Sequence, residues 1–153
     1  MSRFLIIFSI IFSVLQLSAE QEIKIVRVID GDTVLAESRG TEIKIRLSEI
    51  DAPEMDQPFG INSKKCLSEL ISENSTLKFK PDGQDGYGRS LGWLMTDEIN
   101  LNYEMLKQGC AWVYDRYVID KTIYSFQNGA RLKNLGLWKS QSPMPPWVWR
   151  RNN

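Results

Sequence analysis

Short strands joined by tight turns are the pattern that the chain shows after residue 20. β-Branched apolar residues dominate positions 23–29, and the run ends in an Asp-Gly pair at 30–31, a strong signal for a hairpin turn. A return strand begins at 33–36, a second turn falls at 38–41, and apolar and polar side chains alternate through 43–47. The pattern therefore predicts a meander of three strands.

An amphipathic helix is predicted next. Apolar side chains recur at helical spacing through residues 59–73, after two interrupting prolines. Residues 77–81 and 90–95 are predicted as the fourth and fifth strands, on either side of a loop at 82–88 that is rich in glycine and aspartate.

Further helices are predicted in the last third of the chain. Asn100 is a suitable N-cap for a helix through Lys107, and Asp120 for a helix that Gly136 ends. The tail at 143–153 contains three prolines, so we expect it to be extended and to pack on the body through its tryptophans. This element order is that of a five-stranded Greek-key barrel of the OB-fold type with about three helices, an α+β, mainly β fold.

The first 19 residues have the pattern of a signal peptide: a short basic region, an apolar run and the small residue Ala19. An uncleaved membrane anchor is the alternative, but the apolar run is shorter than the roughly 20 residues that span a bilayer. We expect cleavage to leave one domain, residues 20–153, that is secreted or periplasmic. We expect it to be a monomer without stable membrane association.

Charge is balanced overall but not along the chain. The chain has 19 basic and 19 acidic residues, so it lacks the net basicity typical of nucleic-acid binders. Residues 20–56 carry 5 basic and 10 acidic residues, whereas residues 100–153 carry 8 basic and 3 acidic residues. This segregation is compatible with a phosphate substrate, and equally with an ordinary solvated surface.

The counts of histidine and cysteine limit the catalytic mechanisms and cross-links that the chain can have. The chain has no histidine, which excludes His-ligated zinc, a Ser-His-Asp triad and a histidine general base. It has two cysteines, Cys66 and Cys110, and in an exported protein an even count is compatible with a disulfide. Two buried free thiols are the alternative, and the residues leave both open.

Five charged residues in four short segments indicate a metal-dependent site that cleaves phosphodiesters. Asp32 and Asp51 lie 19 residues apart, at positions that a meander brings to one rim of a barrel. Two facing carboxylates favour a hard cation, calcium first and magnesium second. Glu54 is the carboxylate that can position or deprotonate a water beside that cation. Arg46 and Arg89 can bind phosphate oxygens in bidentate fashion.

These segments, Asp-Gly-Asp-Thr at 30–33, Ile-Arg-Leu at 45–47, Asp-Ala-Pro-Glu at 51–54 and Tyr-Gly-Arg at 87–89, resemble those of the staphylococcal nuclease (thermonuclease-like) family. The resemblance implies a calcium site formed by Asp32, Asp51 and the main-chain carbonyl of Ala52. It also implies catalytic roles for Arg46, Glu54 and Arg89, with Tyr87 and Tyr117 as candidates for substrate binding. The activity implied is a sugar-nonspecific nuclease that acts on DNA and RNA and leaves 3′-phosphates.

Two differences from the family pattern concern substrate binding. The loop between Glu54 and Phe59 is shorter than in the family prototype and lacks its basic residues, and Gly86 stands where a lysine is common. We expect weaker binding of substrate without loss of chemistry. The alternative functions are a catalytically silent OB-fold module that binds nucleic acid, and a small exported domain that binds calcium or is purely structural.

Overall fold

The computed structural model describes residues 20–73 and 76–153. Its strands are β1 (Gln21–Val28), β2 (Thr33–Ser38), β3 (Thr41–Leu47), β4 (Ile50–Asp51), β5 (Leu77–Gln84), β6 (Ser90–Met95) and β7 (Trp112–Val113). Its α-helices are α1 (Gly60–Ser72), α2 (Leu101–Lys107), α3 (Ile123–Leu132) and α4 (Pro146–Asn152). Short 3₁₀ turns occur at Asp115–Tyr117 and Gly136–Lys139.

Five strands close into a barrel in the order β1-β2-β3-β6-β5, with β1 also paired to β5. The three-stranded meander is antiparallel, and Thr33 of β2 lies opposite Arg46 of β3. The parallel pairing of β3 with β6, which aligns Arg46 with Leu91, completes the closure. The predicted five-stranded OB-like barrel is confirmed. The two-residue strands β4 and β7, which pair with each other, were not predicted.

The core fills the barrel and the space under the helices. Alternate residues of β2 and β3 point inward, so that Val34, Ala36, Ile45 and Leu47 are fully buried. The helices α1, α2 and α3 cover the barrel with their apolar faces. A smaller apolar cluster beside the main core contains Trp112, Ala130, Leu137 and Trp138, with Trp147 of α4 packed against it.

The capping predictions are confirmed in part. The Asn100 side chain accepts hydrogen bonds from the backbone N–H groups of Asn102 and Tyr103, as an N-cap does. Asp120 instead lies just before α3 and accepts from Thr122, and α3 ends at Leu132 rather than near Gly136.

The prediction of an extended tail over residues 143–153 is wrong for its second half, because Pro146–Asn152 is the helix α4. Pro146 occupies the first helical position, where a proline loses no intrahelical hydrogen bond and its fixed φ favours the helix. The expected packing of the tail is present, since the Trp147 ring lies 5.8 Å from that of Trp112.

Cys66 of α1 and Cys110, which follows α2, are joined by a disulfide. Beside it, the Ser63 hydroxyl donates a hydrogen bond to the Cys110 carbonyl at 2.6 Å. Together they fasten α1 to the segment that leads into β7.

The predicted signal peptide, residues 1–19, lies outside the described residues. Across residues 20–73 and 76–153, none of the helices combines the length and the apolar character needed to cross a membrane.

Candidate active site

A cleft of about 690 Å³ opens at one rim of the barrel and brings every predicted site residue to one place. Its lining includes Asp32, Arg46, Asp51, Ala52, Glu54, Tyr87, Arg89 and Tyr117. Further polar residues complete the wall: Asp30, Lys44, Ser48, Glu49, Asp82, Asp85, Tyr114, Arg116 and Arg150. Side chains of both signs therefore face the same space.

Asp32 is held against the segment after β4. Its Oδ2 accepts a hydrogen bond from the Ala52 N–H at 2.8 Å, and its Oδ1 accepts from the Thr33 hydroxyl at 2.9 Å. Gly31 makes this approach possible, because a Cβ at that position would lie 2.0 Å from the Ser63 Oγ and 2.7 Å from the Ala52 Cβ. The two aspartate segments predicted to meet are thus in direct contact.

Arg46 lies between the two aspartates. Its Nη2 donates to the Asp51 Oδ1 at 3.0 Å and lies 3.5 Å from the Asp32 Oδ2. Its Nη1 donates to the main-chain carbonyls of Leu47 and Ile50, at 2.9 and 3.0 Å. Burial would lower the pKa of Arg46, but the charges of Asp32 and Asp51 outweigh it, and the pKa is raised. Arg46 is a fixed, fully charged group in the wall of the cleft.

Arg150 of α4 is a third arginine at the site, and no sequence signal pointed to it. Its Nη2 donates to the Asp51 Oδ2 at 2.7 Å and its Nη1 to the Asp51 Oδ1 at 3.2 Å. The same Nη1 donates to the Glu54 Oε1 at 2.6 Å. The hydrogen bonding that Arg150 donates to Asp51 is the main cause of the raised pKa of Arg150.

Two acidic groups of the cleft have raised pKa values. Burial is the main cause for Asp51, where the hydrogen bond from Arg150 opposes it and the neighbouring charge of Asp32 adds to it. Burial, followed by the charge of Asp32, raises the pKa of Asp30 to about 6. Crowded carboxylates of this kind favour a neutralising cation.

Arg89, the residue just before β6, lines the cleft. Its Nε donates to the Asp85 Oδ2 at 2.7 Å, and its backbone N–H donates to the Asp85 Oδ1 at 3.0 Å. Burial would raise the pKa of Asp85, but the hydrogen bonds from Arg89 and from the Tyr87 N–H outweigh it and lower the pKa. The loop before β6 thus holds Arg89 through two hydrogen bonds that Arg89 donates to one carboxylate.

Two predicted tyrosines expose their rings beside the cleft. Tyr87 is 89% exposed and Tyr117 is 53% exposed. The Tyr117 ring lies 5.3 Å from that of Tyr114, and the Arg46 guanidinium lies 5.7 Å from the centre of the Tyr114 ring. Such exposed rings are available for contact with bases.

The donor chemistry of the cleft fits a hard divalent cation, although its carboxylates are spread along the wall. Nowhere in residues 20–73 and 76–153 do three or more His, Cys, Asp or Glu side chains form a group that could hold a metal ion. Asp32 and Asp51 offer carboxylate oxygens at adjacent positions, since Arg46 bridges them. Calcium completes such a shell with main-chain carbonyls and water, so the Ala52 carbonyl and the Glu54 carboxylate, which line the same cleft, are further candidate donors.

Comparison with known proteins identifies the family. The family model described as staphylococcal nuclease homologue matches residues 44–140. The chain belongs to the staphylococcal nuclease family. An "Uncharacterized endonuclease" of Haemophilus influenzae is 39% identical to it over 145 residues, which cover 93% of this chain and 81% of that protein. The "Micrococcal nuclease" of Shigella flexneri is 34% identical over 139 residues, which cover 84% of this chain and 79% of that protein.

Family membership confirms the predicted resemblance and the expectation of a phosphodiester hydrolase. An "Uncharacterized endonuclease" of Escherichia coli O157:H7 is 37% identical over 151 residues, which cover 98% of each chain. The part that matches the staphylococcal nuclease family model contains Arg46, Asp51, Glu54 and Arg89, whereas Asp32 and Arg150 lie outside it. The individual roles of these residues remain predictions.

Proposed function

We propose that this protein is a calcium-dependent nuclease that hydrolyses the phosphodiester bonds of DNA and RNA and leaves 3′-phosphates. Nuclease activity follows from membership of the staphylococcal nuclease family. The proposal goes beyond that conclusion in three respects: the calcium ion, the action on both DNA and RNA, and the 3′-phosphate ends of the products. The observation that carries the proposal is that Asp32, Asp51, Glu54, Arg46 and Arg89 line one open cleft.

In this proposal Asp32, Asp51 and the Ala52 carbonyl hold the calcium ion. The ion, when bound, supplies positive charge for phosphate oxygens and acidifies a bound water. The assignment is supported by the burial of both aspartates and by the positive charge of Arg46 and Arg150 that their carboxylates already attract.

Glu54 is the acid–base group of the proposed reaction. Its carboxylate is partly exposed, at the mouth of the cleft and two residues after Ala52. In a chain without histidine, a carboxylate beside the cation site is the group best placed to orient a water or take its proton.

Arg46 and Arg89 supply fixed positive charge for the substrate phosphate. Negative charge increases on the phosphate and the leaving oxygen as the bond breaks, so guanidinium groups held in place lower the barrier. Arg46 uses three of its five N–H donors in the hydrogen bonds to Leu47, Ile50 and Asp51. Of the two remaining donors, one is on Nη2, which lies 3.5 Å from the Asp32 Oδ2, and the other, the Nε–H, is available to a phosphate oxygen.

The exposed rings of Tyr87 and Tyr117 support binding of single-stranded DNA and RNA alike, because an aromatic ring can stack on any base and does not distinguish the sugar.

Export to the cell exterior or periplasm is a separate proposal that rests on the pattern of residues 1–19. Mass analysis of protein recovered from culture tests it, and a chain that still begins at Met1 would contradict it.

The direct test of the proposed function is digestion of single-stranded DNA, double-stranded DNA and RNA by purified protein. We expect cleavage of all three with calcium, loss of cleavage with a chelator, and products whose 3′ ends accept a polymerase only after phosphatase treatment. The Asp51→Asn variant, purified in parallel, controls for contaminating nucleases. Binding of nucleic acid without cleavage in calcium would contradict the proposal and favour the silent OB-fold module.

A further inference from the structure

The guanidinium of Arg150, on the C-terminal helix α4, contacts two acidic residues of the cleft. Arg150 Nη1 donates to the Glu54 Oε1 at 2.6 Å, across 96 positions of sequence, and both terminal nitrogens of Arg150 contact Asp51. The planar guanidinium therefore bridges the side chain proposed to hold the cation and the side chain proposed to handle the water.

Contacts of the two tryptophans that precede Arg150 fix the position of α4. The Trp147 ring lies 5.8 Å from the Trp112 ring and 6.0 Å from the Tyr114 ring. The Trp149 Nε1 donates to the Asp56 Oδ1 at 3.3 Å. Arg150 thus extends from a helix that is anchored both to the apolar cluster and to the loop that carries Glu54.

The segment before α4 is tied to the same loop. The Gln57 side chain donates to the Met144 carbonyl at 2.7 Å and accepts from the Glu54 N–H at 3.1 Å. Backbone and side chain of Glu54 are therefore both linked to the C-terminal segment, the backbone through Gln57 and the carboxylate through Arg150.

Glu54 depends on this contact for its orientation. Its carboxylate is about 40% exposed, and within the described part of the chain its side chain pairs with Arg150 and with no other cation. A partly exposed glutamate without such a partner samples several rotamers. Asp51, by contrast, is buried and is also held by Arg46.

We propose that Arg150 is a positioning residue of the nuclease, which holds the Glu54 carboxylate beside Asp51 in the orientation that the reaction uses. This inference rests on the proposed function, because Glu54 needs a fixed orientation only if it acts on a water. Arg150 acts through Glu54, so its loss slows turnover and leaves substrate binding nearly unchanged.

The test is steady-state cleavage of a short single-stranded DNA by the full chain and three variants at position 150. Arg150→Ala removes the guanidinium, Arg150→Met keeps the aliphatic stem, and Arg150→Lys keeps the charge but not the planar, bidentate donor geometry. Arg151→Ala is the matched control, because it removes the same charge from the same helix at an exposed position that lines no part of the cleft.

We expect kcat to fall roughly 10- to 100-fold in Arg150→Ala and Arg150→Met, as for loss of a group that orients a reacting side chain. KM should stay within about twofold of the wild-type value, the lysine variant should recover part of the loss, and Arg151→Ala should have wild-type kcat. Millimolar guanidinium ion should restore part of the kcat of Arg150→Ala, whereas sodium ion at the same ionic strength should not. Thermal unfolding of each variant confirms that it is folded.

Two results would overturn the inference. One is wild-type kcat in both Arg150→Ala and Arg150→Met, and the other is a loss confined to KM, which would make Arg150 a substrate-binding group. In either case a wild-type protein that cleaves DNA leaves the proposed function standing. A wild-type protein that cleaves nothing in calcium would instead contradict the proposed function itself and the inference with it.

Discussion

The Nη2 of Arg46 lies 3.0 Å from the Oδ1 of Asp51, and the same guanidinium donates to two main-chain carbonyls. Arg46 is therefore part of the architecture of the cleft as well as a candidate for phosphate binding. Its positive charge offsets the repulsion between Asp51 and Asp32, whose carboxylates would otherwise face each other across the rim.

The first prediction concerns this structural role. Arg46→Ala should lower the free energy of unfolding of the calcium-free protein by about 3 kcal/mol, because it breaks a buried ion pair and leaves two carbonyls without their donor. Calcium should restore part of the loss. Urea unfolding with calcium and with chelator measures both effects. The control is Lys44→Ala, because Lys44 is an exposed residue of the same strand, β3, and its loss should change the free energy of unfolding by less than about 0.5 kcal/mol. An equal loss of stability in Arg46→Ala and Lys44→Ala would contradict the prediction.

A second prediction concerns Arg89 and the carboxylate that holds it. Arg89→Ala should lower the cleavage rate by roughly 10²- to 10³-fold, as for loss of a charge that stabilises the transition state. Asp85→Ala should lower it by less, because the guanidinium remains but loses its anchor. Asp97→Ala, which removes the partner of Lys78 in an exposed ion pair away from the cleft, is the control. Wild-type cleavage by Asp85→Ala would show that Arg89 does not need that anchor.

The pKa of Asp30, raised to about 6, predicts how stability depends on pH. An acid whose folded pKa lies above its unfolded value stabilises the fold fully only below the unfolded pKa, near 3.8, and that contribution is lost as the pH rises through 6. In chelator, Asp30→Asn should therefore be more stable than wild type at pH 7 and lose this advantage by about pH 4. Unfolding curves across this range test it. A difference that stays constant with pH would contradict the raised pKa.

Because of the disulfide, we expect reduction to lower the stability of the protein but not its activity. Replacement of both Cys66 and Cys110 by alanine should lower the free energy of unfolding by about 2–4 kcal/mol, with wild-type cleavage, since neither residue lines the cleft. Reductant should destabilise the wild type to a similar extent and leave the double variant unchanged. Equal stability of the wild type with and without reductant would show that the thiols are not joined.

The sequence predicted the barrel because its signals are local. The Asp-Gly turn at 30–31 and the alternation through β3 determine the register of the meander, and that register places Thr33, next to Asp32, opposite Arg46. Asn100 likewise marks the start of α2 through a capping bond within three residues. Each of these features depends on neighbours in sequence, which a pattern can report.

The features that were not predicted depend on distant contacts. The strands β4 and β7 have two residues each, too few to show a period, and they form because Ile50 and Val113 meet. The prolines of the tail favoured an extended segment, whereas Pro146 begins a helix that Trp147 anchors. The pairing of Arg150 with Asp51 spans 99 positions of sequence, so it follows only from the position of α4 on the folded chain.

Cleavage of single-stranded DNA by Glu54→Gln in saturating calcium tests most directly whether this cleft is the catalytic site. The amide keeps the shape of the side chain but cannot take a proton, so we predict a kcat about 10²- to 10⁴-fold below that of the wild type. The thermal stability of the variant should still rise with calcium, because Asp32 and Asp51 are intact. A Glu54→Gln variant that cleaves at the wild-type rate would contradict the assignment of Glu54 and of the reaction to this cleft.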